Sequence, residues 1–204
     1  MAEVSTSEKL LDAAARLFAE RGIDNVSIAE IVRAAGQKNA SAVHYHFGGK
    51  NEVLHALLAR HVPDIAQRRR ALLEKARGSE PVDVAAAAEA IVRPVTEFAQ
   101  RGWRERAYLQ FGSELTAWVD RTPPEIQELL AQTAGYEAWD LMRACCPDID
   151  PDLWRERQTI CTAFIGRAAA DRARQLDQGG EHPVLSDDRF VSNLVAMVVG
   201  AMTA

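Results

Sequence analysis

Apolar positions recur along this chain at three- and four-residue intervals, with few β-branched runs, and the pattern predicts an all-α fold of about nine helices. The first opens at a Ser5/Glu8 capping box, carries Leu10, Leu11, Ala14, Leu17 and Phe18 on one face and stops at Gly22. A second box, Ser27/Glu30, starts a helix whose apolar face is Ile28, Ile31, Val32 and Ala35, with Gly36 as its C-cap. After a polar turn Ser41 caps a short helix that turns Val43 and Phe47 inward. A glycine break then leads into a long helix from about Asn51, kinked by Pro63, with Val53, Leu54, Leu57, Leu58 and Ile65 inward. Its end carries Arg68, Arg69, Arg70 and Lys75 as a solvated face. Helices over about Val82 to Arg101 with a kink near Pro94, from Trp103 to Trp118, from Pro124 to Pro147, from Pro151, and from Ser186 complete the count. After Arg189 the last helix has no charged residue, so its apolar surface must be covered.

Two helices joined by a tight glycine-containing turn, Ser27 to Lys50, make a helix-turn-helix, whose second helix can enter the DNA major groove. Charge sharpens that reading. The stretch from Ile31 to Lys50 holds Arg33, Lys38 and Lys50 and no acid. Residues 1–50 hold six Lys/Arg and six Asp/Glu, so the net charge of -5 resides in residues 51–204. A cationic patch on an acidic chain suits a phosphate backbone at one place. Lys38 and Lys50 are cations for phosphates, and Ser27 and Ser41 can donate to them, besides serving as caps. Gln37 and Asn39 offer a donor and an acceptor to a base edge, and Ala42 a methyl contact for thymine. His46 and Phe47 are assigned to packing, with His46 also a phosphate candidate.

The run from Leu10 to Leu58 resembles the DNA-binding region of the tetracycline-repressor (TetR) family of bacterial transcription regulators. Ala14, Leu17-Phe18, Gly22, Ser27, Ile31, Ala35-Gly36, His46-Phe47 and Lys50 carry the resemblance over roughly the first quarter of the chain. Two departures stand out. The turn Gln37 to Ala40 is one residue longer than is usual in the family, and the family's phosphate-binding tyrosine falls on His44, with Tyr45 in a variable place. Both His44 and Tyr45 are carried as phosphate contacts. The resemblance implies a helix-turn-helix DNA-binding domain over 1–50 and a helical effector-binding and dimerisation domain over 51–204. It implies a homodimer on palindromic double-stranded DNA, most simply a repressor released by a small effector. The pocket candidates are His55, Leu58, Ile91, Val95, Phe98, Trp103, Tyr108, Phe111, Trp139 and Phe164, a mainly apolar and aromatic lining that favours a lipophilic effector. The last two helices would dimerise, through Ile160, Phe164, Arg167, Phe190, Leu194, Val198 and Met202.

Other chemistry fails on inspection. One Glu52-x-x-His55 is half of a di-iron motif. Gly48-Gly49-Lys50 lacks the rest of a phosphate-binding loop. Asp148, Asp150 and Asp152 open a calcium loop that has no glycine or terminal glutamate where they are needed. The sequons at Asn25 and Asn39 require secretion to matter. Three cysteines give no disulfide framework, no run is read as a signal or a span, and the expected setting is a reduced cytoplasm without membrane, metal or cofactor. No nucleophile, base and orienter can be assembled, so an enzyme is not expected. The alternatives are a dimeric ligand-binding module without DNA binding and an enzyme on a helical bundle.

Overall fold

The computed structural model describes residues 5–38, 41–117, 122–178 and 185–204. They form α1 (Thr6–Arg21), α2 (Ile28–Ala34), α3 (Ser41–His46), α4 (Lys50–Ala59), α5 (Val62–Arg77), α6 (Val84–Thr96), α7 (Trp103–Ala117), α8 (Pro124–Ala131), α9 (Gly135–Ala144), α10 (Pro151–Asp177) and α11 (Asp187–Thr203). A 3-10 turn, Glu97–Gln100, extends α6. The described regular structure is all helix, and two of the long helices expected from the pattern are each broken in two.

Both breaks have local causes. Pro63 does not kink a continuous helix: the chain leaves α4 at Arg60 and His61, and the proline sits in the first turn of α5, where its missing amide costs nothing. Between α8 and α9 the chain turns at Ala134, which takes the left-handed conformation at φ 58° just before Gly135. Pro94, by contrast, stays inside α6. A proline has no amide to offer the carbonyl four residues back, here that of Ala90, and Arg69 Nε donates to that oxygen instead at 3.2 Å. Arg69 is therefore not part of a solvated face but is buried at 5 % exposure.

Among the described residues the expected caps form with one exception, and the cap expected at Ser41 lies outside them. Ser27 and Glu30 make the full reciprocal box, and the Asp150 carboxylate accepts from the amides of Asp152 and Leu153 at the start of α10. At α1 only half the expected box exists. Ser5 accepts from the Glu8 amide, but the Glu8 carboxylate reaches Arg60 on α4.

Two apolar clusters fill the molecule. One runs from α1 through α4, α7 and α8 to the C-terminal half of α10, and so crosses residue 50. In it the rings of Phe18, Phe111, Tyr108, Phe98 and His61 meet in sequence, with successive centroids 6.1, 5.8, 5.8 and 5.4 Å apart. The other joins α6, α9, α10 and α11. Arg172 on α10 locks α11 in place. It bonds the Leu185 carbonyl and the Asp187 carboxylate, and its guanidinium lies over the Phe190 ring. The body grips the first three helices through α7. Arg104 holds the Asp12 carboxylate by two bonds of 2.8 and 2.7 Å, and Glu114 accepts from the Ile23 amide at 3.1 Å in the α1–α2 turn.

Candidate functional site

The α2–α3 unit rests on α1. Ile31, Val32 and Val43 are buried against it, and Gly36 ends α2 at φ 70°, which lets the Gln37 amide reach back to the Val32 carbonyl. A left-handed residue there suits glycine alone without strain. At the far end of α3, Gly48 at φ 101° returns its amide to the carbonyls of Val43 and His44. His44 Nδ1 lies 2.8 Å from the Gly48 carbonyl oxygen, which can only accept, so Nδ1 carries the proton. The imidazole is thereby tied to the α3–α4 corner.

The predicted contacts separate accordingly. Lys38 is exposed beside the turn, and Tyr45 is 86 % exposed with its ring edge-on to His46 at 5.1 Å. Lys50 occupies the first position of α4, behind a Gly49 cap that supplies no side-chain acceptor, and its Nζ lies 6.0 Å from the Phe18 ring centroid. The first-turn amides of α4 thus lie beside a cation, but the Glu52 carboxylate already folds back over Gly49, where a Cβ would come within 2.9 Å of its Oε2. Ser27 is already committed. Its hydroxyl donates to Glu30 Oε2 at 2.7 Å while accepting from the Glu30 amide, and that hydroxyl, followed by the Ser27 amide and the nearby Arg21, holds the Glu30 carboxyl below its ordinary pKa. Gln37 is half-buried, its amide near the Ala35 carbonyl. Ser41 and Ala42 contribute backbone to α3, while Asn39 and the side chains of Ser41 and Ala42 lie outside the described residues. His46, assigned to packing, is exposed instead, and Phe47 packs against the core.

The pocket candidates do not converge on one lining. Leu58, Phe98, Tyr108 and Phe111 are core of the first cluster, Ile91 and Trp139 belong to the second, and Val95 touches both. Trp103 is half-buried with the Arg16 guanidinium 3.8 Å from its ring centroid. His55 is exposed on α4, and Phe164 is 37 % exposed on the outer side of α10. In this region the sequence reading named Tyr108 but missed Arg69. Arg69 is buried with Nη1 on the Thr133 carbonyl at 2.6 Å, and burial lowers its pKa to about 10. Tyr108 is buried beside it, its hydroxyl pushed up to about 12 by desolvation. Residue 69 falls four after Ile65 and four before Leu73 on the inward face of α5, a phase that marks it as buried.

Three of the seven predicted dimer residues point the wrong way. Leu194, Val198 and Met202 are at most 2 % exposed inside the subunit, because a helix that is apolar all round offers its i, i+4, i+8 stripe to its own core first. Ile160 at 58 %, Phe164 at 37 % and Arg167 face outward on α10, Phe190 is half-buried, and the outward apolar residue of α11 is Met197, at 49 %. Among the described residues no cluster of potential metal ligands occurs, and no helix is long and apolar enough to cross a membrane.

The sequence profile of the bacterial regulatory proteins, tetR family, matches residues 10–57. Two Pseudomonas putida proteins, the HTH-type transcriptional regulator SrpR and the uncharacterized HTH-type transcriptional regulator TtgW, are each 41 % identical over 54 residues, 26 % of this chain. Those stretches cover 25 % of SrpR and 40 % of TtgW, so the chain matches well under half of either relative. Among solved structures, a TetR-family transcriptional regulator from Bordetella parapertussis shares the fold at TM-score 0.65 and 18 % identity, over 96 % of this chain and 95 % of that one. The ketosteroid transcriptional regulator KstR2 of Mycobacterium tuberculosis does so at TM-score 0.60 and 18 % identity, over 100 % and 97 %. These relatives are regulators rather than enzymes. Residues 10–57 thus match the tetR family of bacterial regulatory proteins, and the chain shares the fold of a solved TetR-family regulator over nearly its whole length.

Proposed function

We propose that the protein is a homodimeric DNA-binding regulator of transcription, most simply a repressor that sits on a palindromic operator in the cytoplasm and is released by a small effector. Residues 1–50 serve as the reading head and residues 51–204 as the effector and dimerisation body. The observation that carries this reading is the α2–α3 unit itself. It is capped at both ends of α2, seated on α1, and presents Tyr45 and Lys38 to solvent on a stretch without acids. Dimerisation is supported by the apolar residues left facing outward on α10 and α11, namely Leu153, Ile160, Phe164 and Met197. Two-fold symmetry then offers two α3 helices to half-sites about 34–36 Å apart along the duplex. An effector that binds one arrangement of the body about 1.4 kcal/mol better than the other releases DNA about tenfold.

Fluorescence anisotropy on palindromic DNA at two salt concentrations tests the reading. Specific binding that weakens steeply with salt is expected, and Lys38→Ala and Lys50→Ala should each reduce the salt slope by roughly 1. A slope unchanged in both variants removes the phosphate assignment, and indifference to every duplex in a randomised pool removes the function.

A further inference from the structure

Glu52 is the only acid between Ile31 and Pro63, a run that holds Arg33, Lys38, Lys50 and Arg60. It stands at the third position of α4, where the chain turns out of α3. The first intrahelical bond of α4 runs from the Val53 amide to the Gly49 carbonyl at 3.2 Å, so the amides of Lys50, Asn51 and Glu52 lie ahead of the ladder. Such an end carries a partial positive charge, and an anion beside it is stabilised. The Glu52 side chain takes that place. A Cβ on Gly49 would come within 2.9 Å of Oε2, and one on Gly48 within 3.7 Å of Cγ and 3.8 Å of Cδ. The two glycines leave the room that the bent-back side chain uses.

Two glutamates occupy this third position, one in α2 and one in α4, and only one is tied down. Glu30 accepts from the Ser27 amide at 2.9 Å and the Ser27 hydroxyl at 2.7 Å, and it pairs with Arg21 at 3.0 Å. Glu52 has no such cap to bond, because its N-cap is Gly49, and among the described residues it makes no hydrogen bond or ion pair. Lys50 stands only two residues away, a spacing at which helix side chains do not face each other, and its Nζ lies 6.0 Å from the Phe18 ring centroid instead. The carboxylate is therefore held by the field of the helix end alone, and it is exposed.

We propose that Glu52 is a built-in competitor for a backbone phosphate, which limits how tightly the reading head holds any duplex. Lys50 and the free amides of α4 draw a phosphate oxygen to the corner where the Glu52 carboxylate already sits, and the two anions repel each other there. The carboxylate must swing out into water before the phosphate enters. Phosphates are common to all sequences, so this competition acts on operator and random DNA alike and leaves the choice between them to base contacts. It keeps a cationic head from lodging on the large excess of non-specific sites. The inference rests on the reading of the α2–α3 unit as a DNA-binding head.

Fluorescence anisotropy of the full chain decides it, on the tightest duplex selected from a randomised pool and on a scrambled duplex of equal length. Glu52→Gln keeps the size of an exposed side chain and removes its charge. At low salt it should bind both duplexes about threefold to tenfold more tightly than the wild type, with the ratio between them changed less than about twofold. The gain should shrink as salt is raised, because it is a screened repulsion. Asp140→Asn removes an exposed acid from α9, well away from α4 in the chain, and should change affinity by less than about 1.5-fold. The proposal is overturned if Glu52→Gln binds no more tightly than the wild type, if its gain is confined to the selected duplex, or if Asp140→Asn gains as much. Duplex binding that is indifferent to residue 52 sinks this inference only. A chain that ignores every duplex with either residue there sinks the regulator reading, and this inference with it.

Discussion

His44 and Tyr45 compete for one role, and their immediate surroundings separate them. Nδ1–H of His44 is spent on the Gly48 carbonyl and is not free for a phosphate. The exposed Tyr45 hydroxyl is a free donor. Tyr45→Phe should therefore weaken operator binding by on the order of 1 kcal/mol while leaving the salt slope unchanged, because a neutral donor releases no counterion. A slope that falls with Tyr45→Phe, or an unchanged affinity, would return the role to His44. A different histidine governs the acid side of stability. His61 is buried between Phe98 and Tyr108, and desolvation depresses its pKa below 6.5, aided by Arg60 and Arg104 and opposed by Glu105 and Asp64. The unfolded chain binds that proton first as pH falls. The stabilising contribution is thus complete above pH 6.5 and is lost as pH drops through the lower folded-state value. Thermal unfolding of the wild type should fall more steeply than that of His61→Gln over about pH 7.5 to 5.5, and parallel curves would exclude His61 as the cause.

At the level of helices, α5 and α6 are joined by a repair. Pro94 strands the Ala90 carbonyl and Arg69 from α5 satisfies it, so the two residues should be energetically coupled. In a Pro94→Ala background residue 94 regains an amide for Ala90, and Arg69→Met should then cost about 1 kcal/mol less than it does beside the proline. Urea denaturation of the four proteins gives the coupling, and an additive cycle would mean that Arg69 is held only by Thr133. The same pair shows what could be read in advance. Ile65, Leu72, Leu73 and Ala76 mark the inward face of α5, and position 69 is in phase with them. Its neighbours Arg68 and Arg70 disguised it as solvated. Caps at Ser27 and Asp150 were equally legible, since capping is chemistry between residues two or three apart. The division of the stretch after Pro124 into α8 and α9 was not. Ala134 is held in the left-handed region while Arg69, 64 residues earlier in the chain, binds the adjacent carbonyl, and no local window contains that bond. The exposure of Lys38 and Tyr45 was legible by residue type, whereas the commitment of the Ser27 hydroxyl to Glu30 needed the geometry.

Across the whole molecule, the proposed release by an effector would require body movements to reach the α2–α3 unit, and the structural tie lies in α7 as much as in α4. Asp12–Arg104 and the Ile23–Glu114 bond anchor α1 and the α1–α2 turn to the helix that also carries Tyr108. The proposed dimer also requires a partner copy. The last helix spends Leu194, Val198 and Met202 on its own subunit, so only its outward stripe and that of α10 remain for a second chain. The two faces give opposite predictions for the same chemical change. A carboxylate at Met197 or Ile160 meets water in a lone subunit and costs it little, but in a dimer each copy carries the charge into a symmetric contact, twice over. Met197→Glu and Ile160→Asp should therefore give folded monomers, with thermal stability near that of the wild-type subunit and specific operator affinity reduced at least tenfold, because one head reads only half the site. Val198→Glu, at 0 % exposure, buries an unpaired charge in the core of the subunit and should abolish folding instead. Light scattering and circular dichroism on the three variants distinguish the cases. Dimers that survive both Met197→Glu and Ile160→Asp would place the interface off the α10–α11 face.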